Sequence, residues 1–358
     1  MNILALNSSA RAGRESKTEI LLTALVEGMR EAGADVEVIN LKDKKINVCA
    51  GCFTCWTKTP GRCIHQDDMS RELFPKWVEA DLCVYATPLF HHTVNATMKT
   101  FIERTLPVVE PYLAESGGRW THPLRHQPPG AVVLSVAGFP ALSAFEALSH
   151  YVRFLYGARE GALWAEIYRP GAEALVRAGV RRRDILEATR QAGRELVRDR
   201  SVAPETLDRI QQPIDDDLAA FMEMANCFWR SCISEGVTPR EFDQKGLIPR
   251  PDSVNTFMLL LTYGFNPEGA GDARAVIQFD LSGSIEGACH FSIADGAIQA
   301  LAEAADRPDL TIRTPSDLWL DIMTGRADGA EAFTQGRYTA EGDINLLINF
   351  ARFFGPTD

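Results

Sequence analysis

Short apolar runs alternate with longer stretches of helical periodicity along the first half of the chain. Residues 2–6 (NILAL) are almost continuously apolar, as in a strand covered on both faces of a parallel sheet. A polar loop, residues 7–18, comes next. Ile20, Leu21, Leu22, Leu25, Val26 and Met29 then recur at helical spacing, with Gly33 placed to end the helix. Residues 35–41 predict a second strand. This β-loop-α-β opening starts a doubly wound sheet. Further buried strands are predicted at residues 82–86 and 131–136 and near 162–167, with helices over about 69–79, 95–105 and 184–198.

The pattern changes after residue 200. Residues 215–232 carry helical periodicity, and Pro239, Pro249 and Pro251 punctuate the next twenty residues. Residues 201–252 are expected to form a helical connector. From residue 253 a helix (255–264) precedes strands at 275–281, 287–293, 297–301 and 310–312, with Gly283 and Gly296 in the turns. Thr314 is expected to cap a helix with Pro315 at its first position and an end near Gly325. A last helix is expected over 344–354. Strands followed by helices predict an α+β domain. The expected division is therefore 1–200, 201–252 and 253–358.

A net charge of −11 over 358 residues argues against nucleic acid as a partner. No stretch is long and apolar enough for a transmembrane segment. Residues 1–9 lack the basic start and apolar core of a secretory signal, so a cytoplasmic location is expected. In a reducing compartment the eight cysteines are not expected to pair as disulfides.

Chemistry enters at two places. The 7–18 loop lies between a strand and a helix, where open α/β sheets bind ligands at the carboxyl edge. The helix start offers unpaired N–H groups and a positive dipole end. Ser8, Ser9, Ser16 and Thr18 add hydroxyls, and Arg11 adds charge. The absence of a GxGxxG pattern favours a mononucleotide phosphate. The second place is Cys49-x2-Cys52-x2-Cys55-x7-Cys63. One compact loop with four thiolates suits the corners of a [4Fe–4S] cluster. Zinc and uncoordinated redox thiols are the alternatives that this spacing leaves open.

Residues 87–104 bring a resemblance. Thr87-Pro88, Phe90 and then Lys99-Thr100-Phe101-Ile102-Glu103-Arg104 resemble the NADPH-dependent FMN reductase and iron–sulfur flavoprotein group of the flavodoxin-like superfamily. The likeness covers about residues 1–200 and implies a flavodoxin-like doubly wound parallel sheet. It implies that Pro88, Leu89, Phe90 and His91 lie along the isoalloxazine of FMN. Ala137, Gly138 and Phe139 form the third expected contact. Asn7-Ser8-Ser9 departs from the usual Gly-Ser-Pro or Gly-Ser-Ala of that group. The position of the cysteine motif, and Asp67-Asp68-Met69 after it, also resemble the group, which implies a [4Fe–4S] cluster on Cys49, Cys52, Cys55 and Cys63. Lys99, Glu103 and Arg104 read as helix-face ion pairs. His91 and His92 are the acid–base candidates.

The C-terminal hundred residues resemble the sterol carrier protein type 2 family. Residues 309–314 lead into Ser316-Asp317-Leu318-Trp319 and onward to Gly325, then Phe333, Gly336-Arg337-Tyr338 and Gly342-Asp343-Ile344. The resemblance implies a sheet and helices around an apolar tunnel. Trp319, Leu320, Met323, Leu346, Leu347, Phe350, Phe353 and Phe354 could line it, or fill an ordinary core.

The expectation is an FMN-dependent NAD(P)H oxidoreductase, with NAD(P)H as co-substrate, passing electrons to a small acceptor such as a quinone. An electron carrier without its own catalysis and a lipid-binding redox sensor are the competing readings. Members of the resembled group commonly form dimers or tetramers, so a homo-oligomer is expected.

Overall fold

The structure is a computed structural model that describes residues 1–354 apart from residues 117, 158, 177–179 and 214–216. It divides into two compact units, Met1–Asp216 and Asp217–Asp358.

In the first unit the chain runs β1 (Asn2–Asn7), α1 (Lys17–Glu31), β2 (Asp35–Asn40), α2 (Phe74–Glu79), β3 (Leu82–Pro88) and α3 (Ala96–Glu103). A hairpin of β4 (Ala114–Ser116) and β5 (Arg119–Thr121) intervenes. Then come β6 (Gly130–Val136), α4 (Glu146–Tyr156), β7 (Leu163–Arg169), α5 (Val180–Asp199) and α6 (Pro204–Gln211). The five long strands form one parallel sheet in the order β2-β1-β3-β6-β7. Without the hairpin this is the 2-1-3-4-5 order of flavodoxin-like folds.

Both faces of the sheet are covered, which is why its strands read as continuous apolar runs. One face packs Ile3, Ala5, Val84 and Leu134 against Leu21, Leu25 and Met29 of α1 and Ile185, Ala188 and Ala192 of α5. The other packs Leu4, Leu6, Tyr85 and Val133 against Trp77, Met98, Phe101 and Leu148.

Helices α1 and α5 cross at two glycines. A Cβ on Gly28 would fall within the van der Waals surface of the Arg190 carbonyl, and one on Gly193 within that of Leu25. Both obstacles are backbone and cannot rotate away. Gly28→Ala is therefore expected to cost about 1–3 kcal/mol or more, as overpacked cores do. Urea unfolding checks this; a loss under about 0.5 kcal/mol contradicts the close crossing.

Residues 201–252 divide between the units. In the first unit, Glu195 accepts from Ala203 N and Thr206 Oγ1 at 2.9 Å each. The buried Arg169 donates to the Ile210 and Gln212 carbonyls at 2.6 Å. Its guanidinium thus caps α6, a favourable place for a cation. Burial pulls the Arg169 pKa down to about 10.

The second unit begins with α7 (Leu218–Glu235), α8 (Pro239–Gln244), α9 (Val254–Tyr263) and α10 (Pro267–Ala270). The first two residues of the helix expected from residue 215 lie outside the described residues. Next come β8 (Ala275–Ser282), β9 (Gly287–Ala294), β10 (Ala297–Leu301), β11 (Leu310–Pro315), α11 (Ser316–Met323), α12 (Gly329–Thr334), β12 (Thr339–Gly342), α13 (Ile344–Ile348) and α14 (Phe350–Phe354). The mixed sheet runs β10-β9-β8-β11-β12, with β8 and β11 parallel and the other neighbours antiparallel.

Two expectations here are corrected. Thr314 does not cap a helix. It and Pro315 extend β11 in register with Leu281 and Ser282 of β8, so the helix starts one residue later, at Ser316. The single last helix breaks at Asn349 (φ −89°, ψ 4°) into two short ones. Among the described residues no helix is long and apolar enough to cross a membrane.

Candidate functional site

The β1–α1 loop is held by its own polar groups. Ser8 N and Oγ donate to the Ala86 carbonyl of β3 at 2.9 and 3.2 Å. Asn7 Oδ1 accepts from Ser9 N at 3.0 Å, an Asx turn that replaces the glycine-based turn. Ser16 caps α1 by accepting from Glu19 N at 3.1 Å, and its hydroxyl donates to Ser9 Oγ at 2.9 Å. Ser9 Oγ in turn accepts from Arg11 N at 3.2 Å. Ser8, Ser9, Ser16 and Thr18 are all buried. Arg11 and Lys17 reach the same carboxylate, Glu173, at 3.9 and 2.6 Å. The hydroxyls therefore shape the loop, and the cations lie at its mouth.

Asn95 ties this loop to the next. Its Nδ2 donates to the Ser8 carbonyl at 2.7 Å while its Oδ1 caps α3 at Met98 N. Its backbone N–H donates to Thr87 Oγ1 at 3.2 Å.

Between them, Phe90 and Thr93 exchange two backbone hydrogen bonds of 3.0 Å across a two-residue turn. His91 (φ 45°) and His92 (φ 61°) occupy its centre. Positive φ at both central positions is the habit of a type I′ turn, which glycine or asparagine usually fills. Side chains larger than these are strained there. The strained turn aims His92 at the third loop. Its ring stacks on Phe139, with centroids 5.7 Å apart and planes 14° apart, and its Nδ1 lies 3.0 Å from the Ala144 carbonyl.

The third loop extends from β6. Ala137 is buried and pairs with Arg169 and Ala172 through its backbone at 3.0 and 2.8 Å. Gly138 has ordinary φ, and a Cβ there would make normal contact with Glu173, so the turn itself does not demand glycine. The structure thus gathers Ser8, Ser9, Arg11 and Ser16 on one loop, Pro88, Leu89, Phe90 and His91 on a second, and Ala137, Gly138 and Phe139 on a third, all at the carboxyl ends of β1, β3 and β6.

The cysteine loop is anchored from below by a buried ion pair. Asp67 and Arg104 meet in a two-pronged contact of 2.7 and 3.0 Å, and both side chains are almost wholly buried. Asp67 also accepts from Asn47 N and Ser70 N at 2.8 and 3.2 Å. Arg104 donates to the Asn47 carbonyl at 2.6 Å and to Ser70 Oγ at 3.0 Å. Arg104 is therefore not part of a helix-face ion pair as expected. Lys99 and Glu103 alone form that pair, at 2.6 Å.

Above this anchor, Cys49, Cys52, Cys55 and Cys63 line one cavity together with His65 and Arg104. Cys55 is buried and Cys52 exposed. Burial, and then the neighbouring Cys63, Cys49 and Cys52, push the Cys55 thiol up. The orphaned Nε2 of His65 and Nε of Arg104 border the same cavity. Among the described residues no three ligand side chains converge as they do around a single ion.

In the second unit Trp319 stands at the centre of an aromatic core. Phe279 and Phe350 lie 5.2 Å from its ring and Tyr338 5.6 Å. Trp319, Leu320, Phe350 and Phe353 are buried, and Met323, Leu346, Leu347 and Phe354 pack partly buried around them.

Comparison with known proteins finds two families. Residues 1–159 match the model of the NADPH-dependent FMN reductase family. Residues 267–355 match that of the SCP-2 sterol transfer family. The two matches fall in different parts of the chain. An iron-sulfur flavoprotein of Archaeoglobus fulgidus is 40% identical over 102 residues, 28% of this chain and 44% of the relative. One of Methanocaldococcus jannaschii is 32% identical over 108 residues, 30% of this chain and 53% of the relative. The chain thus spans about half the length of these relatives. A solved NAD(P)H:quinone oxidoreductase from Methanothermobacter marburgensis is 20% identical with a TM-score of 0.41, over 55% of this chain and 96% of that one.

The roles of Asn95, Lys17 and Glu173 were missed in the sequence. Of these, Asn95 carries a local signal, a capping residue before an apolar run.

Proposed function

We propose that the fusion is an FMN-dependent NAD(P)H oxidoreductase that carries a [4Fe–4S] cluster and reduces a small, apolar acceptor such as a quinone. The observation that carries this reading is the convergence of three separate loops at the carboxyl edge of the sheet, tied together by the Asn95–Ser8 contact and the His92–Phe139 stack. When bound, FMN accepts a hydride from a nicotinamide and releases electrons singly to an iron–sulfur centre.

The chain's own residues supply placement. Backbone N–H groups at the start of α1, with Arg11, Ser8, Ser9, Ser16 and Thr18, hold the flavin phosphate. Pro88, Leu89, Phe90 and His91 flank one part of the ring system, and Ala137, Gly138 and Phe139 another. The strained His91–His92 turn fixes the aromatic rim through the His92–Phe139 stack.

Cys49, Cys52, Cys55 and Cys63 hold the cluster. A cluster with one thiolate per iron spreads its ligands further apart than a single zinc does, and four thiols around one cavity fit that demand. In the second unit the sterol-transfer fold would take an apolar ligand. The reading includes a homo-oligomer working in the cytoplasm, with the flavin part at 1–200 and the apolar-ligand part at 253–358.

Anaerobic purification with flavin and iron assays tests it. One FMN, about four irons per chain and rapid NAD(P)H oxidation support the proposal. Flavin and iron without NAD(P)H oxidation would return it to an electron carrier.

Ser16→Ala checks the phosphate loop. It removes both the α1 cap and the Ser9 contact, so a loss of about 1 kcal/mol of stability should accompany at least a several-fold weaker FMN affinity. Unchanged affinity by fluorescence titration would remove this loop from the flavin site.

A further inference from the structure

A second cavity, of about 350 Å³, adjoins the cysteine loop. Its volume lies within the range of small-molecule sites, about 300–1,000 Å³. It shares Cys63, Arg104 and Pro107 with the thiol cavity but none of the three flavin loops.

Its walls are of two kinds. Met69, Phe74, Val78 and Pro107 give an apolar side. Met69–Leu73 is a π-helical turn that runs directly into α2. Such turns recur where a helix borders a functional cavity.

The other side is cationic. Arg62 and Arg71 are exposed, and neither is in an ion pair among the described residues. Arg104 is wholly buried, and its Nε has no hydrogen-bond partner even though the rest of its guanidinium is held by Asp67. Glu79 is the acid on this wall. An apolar slot bordered by three guanidiniums and one carboxylate favours a ligand with a flat hydrocarbon body and a negative group. Guanidinium groups both stack on such a body and bind its oxygens.

We propose that this cavity binds a small planar aromatic anion, an aromatic carboxylate or sulfonate, against Cys63. The binding does not require the flavin or the cluster, so it stands or falls separately from the proposed function.

Anthraquinone-2-sulfonate is the probe, titrated calorimetrically into the full chain as purified. One saturable site per chain is expected. Arg62→Glu combined with Arg71→Glu should weaken binding at least about tenfold, and raising salt from about 50 to 500 mM should weaken it several-fold, since exposed charges are screened. Val78→Trp should also weaken it by filling the apolar wall. Circular dichroism confirms that each variant is folded, and the two arginine positions, being exposed, keep the test valid if Val78→Trp does not fold.

Three results would overturn the proposal. They are no saturable binding at millimolar probe, full affinity in the double arginine variant, and stoichiometric displacement of the probe by FMN or NADPH. The last would place the probe in the flavin site.

Discussion

Asp67→Ala is expected to destabilise the first unit by about 3–5 kcal/mol, the usual cost of removing one partner of a buried ion pair. The cost arises less from a lost attraction than from what remains. Arg104 would keep its charge, 2% exposed, with only the Asn47 carbonyl and Ser70 Oγ to accept from it. Asn47 N would lose its acceptor as well, and Ser70 N would keep only the Asp67 backbone carbonyl. These are the two ends of the cysteine loop, so the loop should loosen before the sheet does. Hydrogen exchange of residues 45–70 should then rise more than that of β1 or β3. A double variant, Asp67→Ala with Arg104→Met, should recover much of the loss because the uncompensated charge goes with it.

The same pair sets a pH dependence. Burial by itself would raise the Asp67 carboxyl, but the Arg104 hydrogen bond, followed by those from Asn47 and Ser70, outweighs it and holds the group well below the usual carboxylate range. A depressed folded value means that the contribution is complete above the unfolded value, about 3.9, and fades as pH falls toward the folded one. The gap between the parent and Asp67→Ala should therefore be flat from about pH 5 to 8 and narrow below about pH 4. Urea unfolding at several pH values decides it. A gap under about 1 kcal/mol at pH 7, or one that widens in acid, contradicts the role given to the pair.

The parallel sheet was legible because burial on both faces leaves a local trace. Residues 3–7 of β1 and 82–87 of β3 are all buried, and no arrangement but a covered strand accounts for such runs. Helix α4 left no comparable trace. It is amphipathic, with Leu148 and Val152 buried one turn apart, but Phe154 and Leu155 stand exposed beside them. The β4–β5 hairpin is only three residues deep, and its Trp120 is 74% exposed, so it shows no inward-facing alternation either.

At the candidate site the division is similar. The four cysteines were readable as a group because they lie close together in the chain, within residues 49–63. Arg104 was misplaced because its partner lies 37 residues away and meets it only when the end of α3 packs under the loop. The sequence pointed to His91 and His92 alike. The structure gives the visible contacts to His92, a choice set by a turn with both central residues at positive φ that the residue types do not reveal.

Cys55→Ser should remove nearly all iron from the purified chain, more than tenfold, while leaving one FMN per chain. The two cofactors are expected to separate because the structure separates their supports. The flavin loops extend from β1, β3 and β6, whereas the cysteines sit on the segment after β2. Cys55 is the deepest of the four, 7% exposed, and its carbonyl accepts from Gly61 N at 2.9 Å to close the x7 step. Serine preserves that backbone bond and nearly the same volume, so the substitution tests the sulfur alone. A serine hydroxyl is a far poorer ligand for iron than a thiolate. If the cluster links the flavin to one-electron acceptors, the variant should lose reduction of a one-electron dye such as ferricyanide by at least tenfold. Hydride transfer to a two-electron acceptor should stay within about twofold. Iron content equal to that of the parent would show that Cys55 is not a ligand. Equal loss of both activities with FMN still bound would show that electrons do not divide between two routes, and that the cysteine loop supports the flavin site itself.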